Sequence, residues 1–156
     1  HMATGKVLAA CISEQKGTMK HPVSEIQLRA GHGIENDAHA GPWHRQVSLL
    51  ATESVEPMRA VLPELQAGAF AENILTEGIV LRTLPIGTRL RVGPALLEIT
   101  QIGKECHANC AIRRQTGDCV MPREGVFARV LEGGTVRPGD PITIEGETNG
   151  TDSEGA

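Results

Sequence analysis

The chain has 156 residues and a formal charge of −4. That length suits one domain with its own hydrophobic core, and the charge argues against a general nucleic-acid binder, which is usually basic. Three aromatic residues, Trp43, Phe70 and Phe127, are too few for a base-stacking platform. No stretch approaches the roughly 18 apolar residues of a membrane span. No signal-peptide pattern opens the chain, so the protein is expected to be cytoplasmic and its four cysteines to be reduced.

His1 and Met2 read as the remnant of a cleaved tag, and residues 3–145 as a single domain. Strand signals dominate that domain. Residues 6–13 and 46–50 are short apolar runs fit for buried strands. The segment 54–62 is the main helical candidate, with Ser54 as N-cap, Pro57 early enough to be tolerated, and Val55, Met58 and Leu62 on one face. Residues 88–92 and 95–102, parted by Gly93-Pro94, predict a hairpin. A short turn of helix is predicted at 111–116. Residues 125–131 and 141–144 predict further strands, with turns at 132–134 and at 137–140. Eighteen Gly and nine Pro punctuate short segments, the pattern of a barrel or sandwich. The polar, acidic stretch 146–156 predicts a disordered tail.

The densest reactive chemistry comes after the run 95–102. Cys106, His107, Cys110 and Cys119 lie together, with Lys104, Arg113, Arg114 and Arg123 around them. A thiolate is both a nucleophile and a soft metal ligand, and basic neighbours favour it. Three roles are open to this cluster. It fits a metal site, although the single C-x3-C pair departs from the two knuckles of structural zinc. It fits a redox pair, and it fits three small buried hydrophobes. Eleven Arg against four Lys suit an anionic ligand, because guanidinium binds phosphate and carboxylate in a bidentate way; codon bias explains the excess equally well.

A second group is the glycine-punctuated stretch 31–46, which holds Asp37, His39, His44 and Arg45. Glycines let backbone approach a ligand and offer N–H groups to an anion. His39 is a candidate for proton handling near neutral pH, with Asp37 to orient it. A surface loop with ordinary turns is the competing reading, and the stretch matches neither a P-loop nor a dinucleotide fingerprint. Further along, Glu72 or Asn73 is suited to hydrogen-bond a polar heterocycle, or else sits in a solvated turn. Lys16 and Lys20 read as a solvated charged loop.

In their order these pieces resemble the MOSC domain, named for the C-terminal domain of molybdenum cofactor sulfurase. The resemblance runs from about Lys6 to Ile144. It rests on Asp37-Ala38-His39-Ala40-Gly41, Gln46-Val47-Ser48-Leu49-Leu50, Gly68-Ala69-Phe70-Ala71-Glu72-Asn73-Ile74 and Leu84-Pro85-Ile86-Gly87. Cys106 after a strand, Gly125-Val126-Phe127-Ala128-Arg129 and Gly139-Asp140 continue it.

The resemblance implies a mostly β, barrel-like MOSC fold with a few short helices. It also implies that one cysteine, matching Cys106, binds molybdenum or carries sulfur. Molybdenum cofactor (molybdopterin with its metal, or a tungsten analogue) needs a soft ligand, cations for its phosphate and polar groups for its pterin edge. On that basis Cys106 is the metal ligand and a catalytic candidate together with His39 and Asp37. Asn73, Arg45, Arg113, Arg114 and Arg123 are the cofactor-binding candidates.

The expected function is that of a stand-alone MOSC protein in cofactor delivery or sulfur transfer. Its partners would be cofactor-biosynthesis proteins or molybdoenzymes, with no nucleic acid and no membrane. Two alternatives are a molybdenum-dependent reductase of N-hydroxylated compounds with separate electron donors, and a zinc- or thiol-stabilised module without cofactor.

Overall fold

The computed structural model describes residues 5–103 and 124–145. Strands β1 (Gly5–Ile12), β2 (His21–Val23), β3 (Ile26–Arg29), β4 (Gly33–Ile34) and β5 (Val47–Ala51) come first. Helix α1 (Thr52–Arg59) is next, and then β6 (Ile74–Glu77), β7 (Arg89–Val92), β8 (Ala95–Ile102), β9 (Val126–Glu132), β10 (Gly134–Val136) and β11 (Pro141–Ile144).

Seven of these strands close into a barrel in the order β11-β7-β8-β9-β5-β6-β1. The ring shuts where Gly5 pairs with Ile142 and Lys6 with Pro141. Closure removes the free edges that an open sheet would offer to other chains. β2 extends the sheet beyond β1, and β10, β3 and β4 form a small second sheet.

The interior is apolar because alternate residues of each strand point inward. Val47, Leu49 and Ala51 of β5 meet Leu97 and Ile99 of β8, Val126, Ala128 and Val130 of β9, and Leu90 and Val92 of β7. In β1 the alternation breaks: Val7 and Ala10 both belong to this core. A register shift between Val7 and Ala9 explains it, since an extra residue re-aims the side chains beyond it. The outer face of β7, β8 and β9 carries ion pairs instead, with Arg129 2.7 Å from Glu98 and Arg91 2.9 Å from Glu132.

β5 and β6 are the parallel pair, and parallel neighbours need a crossover. Residues 52–73 supply it and cover the outside of the barrel. Val55 and Phe70 pack there with Leu50, Leu75 and Phe127, and Met58 and Leu65 join from the edge.

The hairpin 88–92/95–102 and the strands at 6–13, 46–50, 125–131 and 141–144 stand within a residue or so of their predicted limits. The helix starts earlier than predicted. Its N-cap is Ala51, with no side-chain cap bond, and Ser54 lies inside the first turn, its hydroxyl donating to Glu124. The chain turns into helix directly off β5, so strand geometry sets the start. Strands β2, β3, β4, β6 and β10 were not foreseen. They run two to four residues, and most pair with partners distant in sequence. The turn of helix predicted at 111–116 and the tail at 146–156 lie outside the described residues.

Candidate functional site

The first part of the site is a polar knot tying the end of β1 to the loop after β4. The loop turns through Asn36, whose φ of 69° an asparagine tolerates. Asp37 then points inward. Its Oδ1 accepts the Ser13 amide at 3.0 Å and Lys20 Nζ at 2.8 Å, and its Oδ2 accepts the His39 amide at 3.0 Å. The side chains of Lys20 and Asp37 are both wholly buried.

Lys20 is therefore no solvated loop residue, as its surroundings in the sequence suggested; Lys16 is exposed as expected. The ammonium is drawn inside by three acceptors that only the fold assembles: Asp37, Ser13 Oγ at 3.1 Å and His39 Nδ1 at 3.0 Å. Asp37 does lie beside His39, but it holds the backbone amide. Its Oδ2 stands 3.9 Å from the ring nitrogen.

The second part is an aromatic-cation stack. Trp43 donates from Nε1 to the His39 carbonyl at 2.8 Å, and its ring lies parallel to that of His39, 6.4 Å away. The Arg45 guanidinium sits 4.9 Å from the Trp43 ring and 5.4 Å from that of Phe127, and Lys16 Nζ stands 5.0 Å from the indole.

Among the described residues, every other arginine has a carboxylate partner. Arg29 pairs with Glu35, Arg59 with Glu56, Arg82 with Glu124, Arg89 and Arg129 with Glu98, Arg91 with Glu132, and Arg137 with Glu25. Arg45 has none there, and its Nε is buried without a hydrogen-bond partner among them. Burying such a donor unpaired is costly, so a site like this favours an anion.

The third part is the anchor. A bulge at Thr100, between Ile99 and Gln101, turns the end of β8 toward this loop. The Thr100 hydroxyl donates to the His44 carbonyl. Gln101 Oε1 meets His44 Nε2 at 2.8 Å, while its Nε2 donates to the Gly103 carbonyl at 2.8 Å. The Gly103 amide in turn donates to the Gly125 carbonyl at 2.6 Å. The loop carrying His39, His44 and Arg45 is thus bound to the strand end that, in the sequence, leads to Cys106.

Cys106, Cys110, Cys119, Arg113, Arg114 and Arg123 lie outside the described residues. Among the described residues no cluster of His, Cys, Asp and Glu is fit to hold a metal ion.

Asn73 stands apart from the knot, wholly buried in the barrel wall. Its Oδ1 accepts the Ser48 amide at 3.0 Å, and its Nδ2 donates to the Cys11 carbonyl at 3.0 Å. Both ends of the amide thus pin β1 to β5. Glu72 is buried too, accepting the Gly68 amide at 2.7 Å and the Phe70 amide at 3.1 Å. Burial pushes its carboxyl above the usual range, and those amides pull part of the way back.

Cys11 was not singled out by its sequence surroundings. It is fully buried, and burial, with the Glu72 charge adding to it, pushes its thiol up to about 12. The thiolate is the reactive form, and at about pH 8 only about one molecule in ten thousand would carry it. Brief treatment with iodoacetamide, then peptide mapping, is expected to leave Cys11 unmodified in the folded protein and to label it once the chain is denatured. Labelling of Cys11 at the rate of a free thiol would contradict the buried placement.

A closed β-barrel with a cation-lined loop site beside the end of one strand defines the class to which this protein belongs. The chain is a member of the MOSC domain family, whose model matches residues 36–143. Among curated proteins none matches the sequence. Solved structures show the same fold. YuaD from Bacillus subtilis aligns with a TM-score of 0.72 at 18% identity, covering 88% of this chain and 93% of that one. YiiM from Geobacillus stearothermophilus aligns at 0.66 and 18%, covering 90% of this chain and 74% of that one. YiiM from Escherichia coli aligns at 0.62 and 20%, covering 94% and 70%.

Proposed function

We propose that this MOSC protein binds molybdenum cofactor, or its tungsten analogue, and acts in cofactor delivery or sulfur transfer. The observation that carries the reading is Arg45: a guanidinium between two aromatic rings, with a buried, unpartnered Nε and no carboxylate partner among the described residues. The terminal phosphate of the cofactor is the anion such a group suits. Cys106, three residues beyond Gly103 in the sequence, supplies the soft ligand a molybdenum centre needs. Arg113, Arg114 and Arg123 are further cations for the phosphate.

The donor set therefore fits the group. When bound, the cofactor would supply a thiophilic metal able to accept or pass on sulfur. The protein's own part is to orient and shield it. The Lys20–Asp37 pair makes the loop rigid, Trp43 and Phe127 hold Arg45 flat, and Thr100 and Gln101 keep the loop beside β8.

Metal and pterin analysis after anaerobic purification from a cofactor-competent host tests this. Wild type is expected to retain molybdenum, and Cys106→Ser to lose it by about tenfold or more, as loss of a direct metal ligand exceeds the 10–100-fold effect of removing its supports. Unchanged circular dichroism would show the fold intact. Equal molybdenum in both proteins would refute the assignment, and stoichiometric zinc with no molybdenum would replace it with the zinc-stabilised alternative.

A further inference from the structure

Lys20 Nζ has three protons and three acceptors: Asp37 Oδ1 at 2.8 Å, His39 Nδ1 at 3.0 Å and Ser13 Oγ at 3.1 Å. An ammonium donates and cannot accept. Buried against a carboxylate at that distance, Lys20 is held in its charged form. His39 Nδ1 is therefore an acceptor, and in a neutral imidazole the ring proton then sits on Nε2.

We infer that Lys20 is the positioning residue of His39, holding its imidazole neutral in the Nε2–H tautomer, so that a ligand oxygen meeting Nε2 meets a hydrogen-bond donor rather than a base. This inverts the usual carboxylate–histidine pair, in which the acid takes the Nδ1 proton and makes the ring more basic. Here an ammonium stands where the carboxylate would stand, and the acid grips the His39 amide instead.

Among the described residues, the cations near the ring oppose a second proton on it, while Asp37 favours one. From the segment between β1 and β2 come Lys20 and, across the Trp43 ring, Lys16; from its own loop come Asp37 and, again across Trp43, Arg45. The Asp37 carboxylate is already bound to Lys20. A second proton on His39 would face an ammonium and break its hydrogen bond. The use of this donor toward a ligand phosphate or carbonyl rests on the function proposed above. The tautomer is a property of the unliganded protein.

The test uses 15N-labelled, ligand-free protein and two-bond nitrogen–proton correlations of the histidine rings, with the His39 signals assigned by their loss in His39→Gln. Wild type is expected to show an unprotonated Nδ1 and a protonated Nε2 at neutral pH. In Lys20→Met the two tautomers are expected to mix, because Nδ1 no longer faces an obligate donor. An Nδ1–H form or an imidazolium in wild type at neutral pH would overturn the inference, as would ring signals unmoved by Lys20→Met. Should that variant fail to fold, the wild-type spectrum decides. A protein found without molybdenum would sink the proposed function and leave this measurement standing.

Discussion

Replacing Lys20 by methionine is expected to cost about 3–5 kcal/mol of stability, the range seen when one partner of a buried ion pair is removed. The cost arises chiefly at Asp37. Its carboxylate is wholly buried, and the loss leaves it with two amides, from Ser13 and His39, and no counter-charge among the described residues. Ser13 Oγ and His39 Nδ1 lose their donor as well. Denaturant unfolding should show a lower midpoint with an unchanged slope. Adding Asp37→Asn should cost less than the sum of the two single changes, with a coupling of about 1 kcal/mol or more, because the pair acts as a unit. A loss below about 1 kcal/mol for Lys20→Met would mean that water reaches the pair, since that is the range of exposed ion pairs.

Gly68→Ala is expected to be the next most damaging single change, at about 2–5 kcal/mol from combined strain and overpacking. Gly68 has a φ of +92°, and a Cβ there would lie 2.1 Å from the Lys20 carbonyl oxygen. That contact is backbone on backbone: the Lys20 amide donates to the Gly68 carbonyl at 2.9 Å. The Gly68 amide is also one of the two that Glu72 accepts. Relief of the clash would push the crossover segment off residues 20 and 21 and widen the largely apolar cavity of about 500 Å³ between them. Gly87→Ala is the control. Its φ of +96° is as unfavourable, yet nothing lies within 4 Å of the added carbon, so the backbone penalty alone of about 1 kcal/mol applies. Thermal melts of the two variants should therefore differ clearly, and equal shifts would show that the Gly68 contact yields without cost.

Much of the barrel was legible in the chain. The run 95–102 and the stretch 141–144 became strands with those limits, because apolar residues there occur in blocks bounded by Gly and Pro. The short strands were not legible, since a strand such as Gly33–Ile34 exists only because Leu28 and Arg29 lie opposite. Asp37, His39 and Arg45 were named from the loop that holds them, and the fold does bring them to one place, joined by Trp43. Lys20 reads in the sequence as a solvated loop charge, and the fold buries it. Amid Lys16, Gly17, Thr18 and His21 it has the local look of a hydrated charge, and its three acceptors come from Ser13 on one side and from Asp37 and His39 on the other.

Family and fold class were set by residue order along the chain, since glycines, strand blocks and the Asp-x-His and Glu-Asn pairs are local properties that need no neighbour. What each polar side chain does was decided only by closure of the barrel. Whether a charge is solvated or buried depends on what faces it across the sheet, and strand pairing supplies those faces. Asn73 spends its amide on β1 and β5, Glu72 holds its own loop, Lys20 grips His39, and Arg45 keeps a donor in reserve.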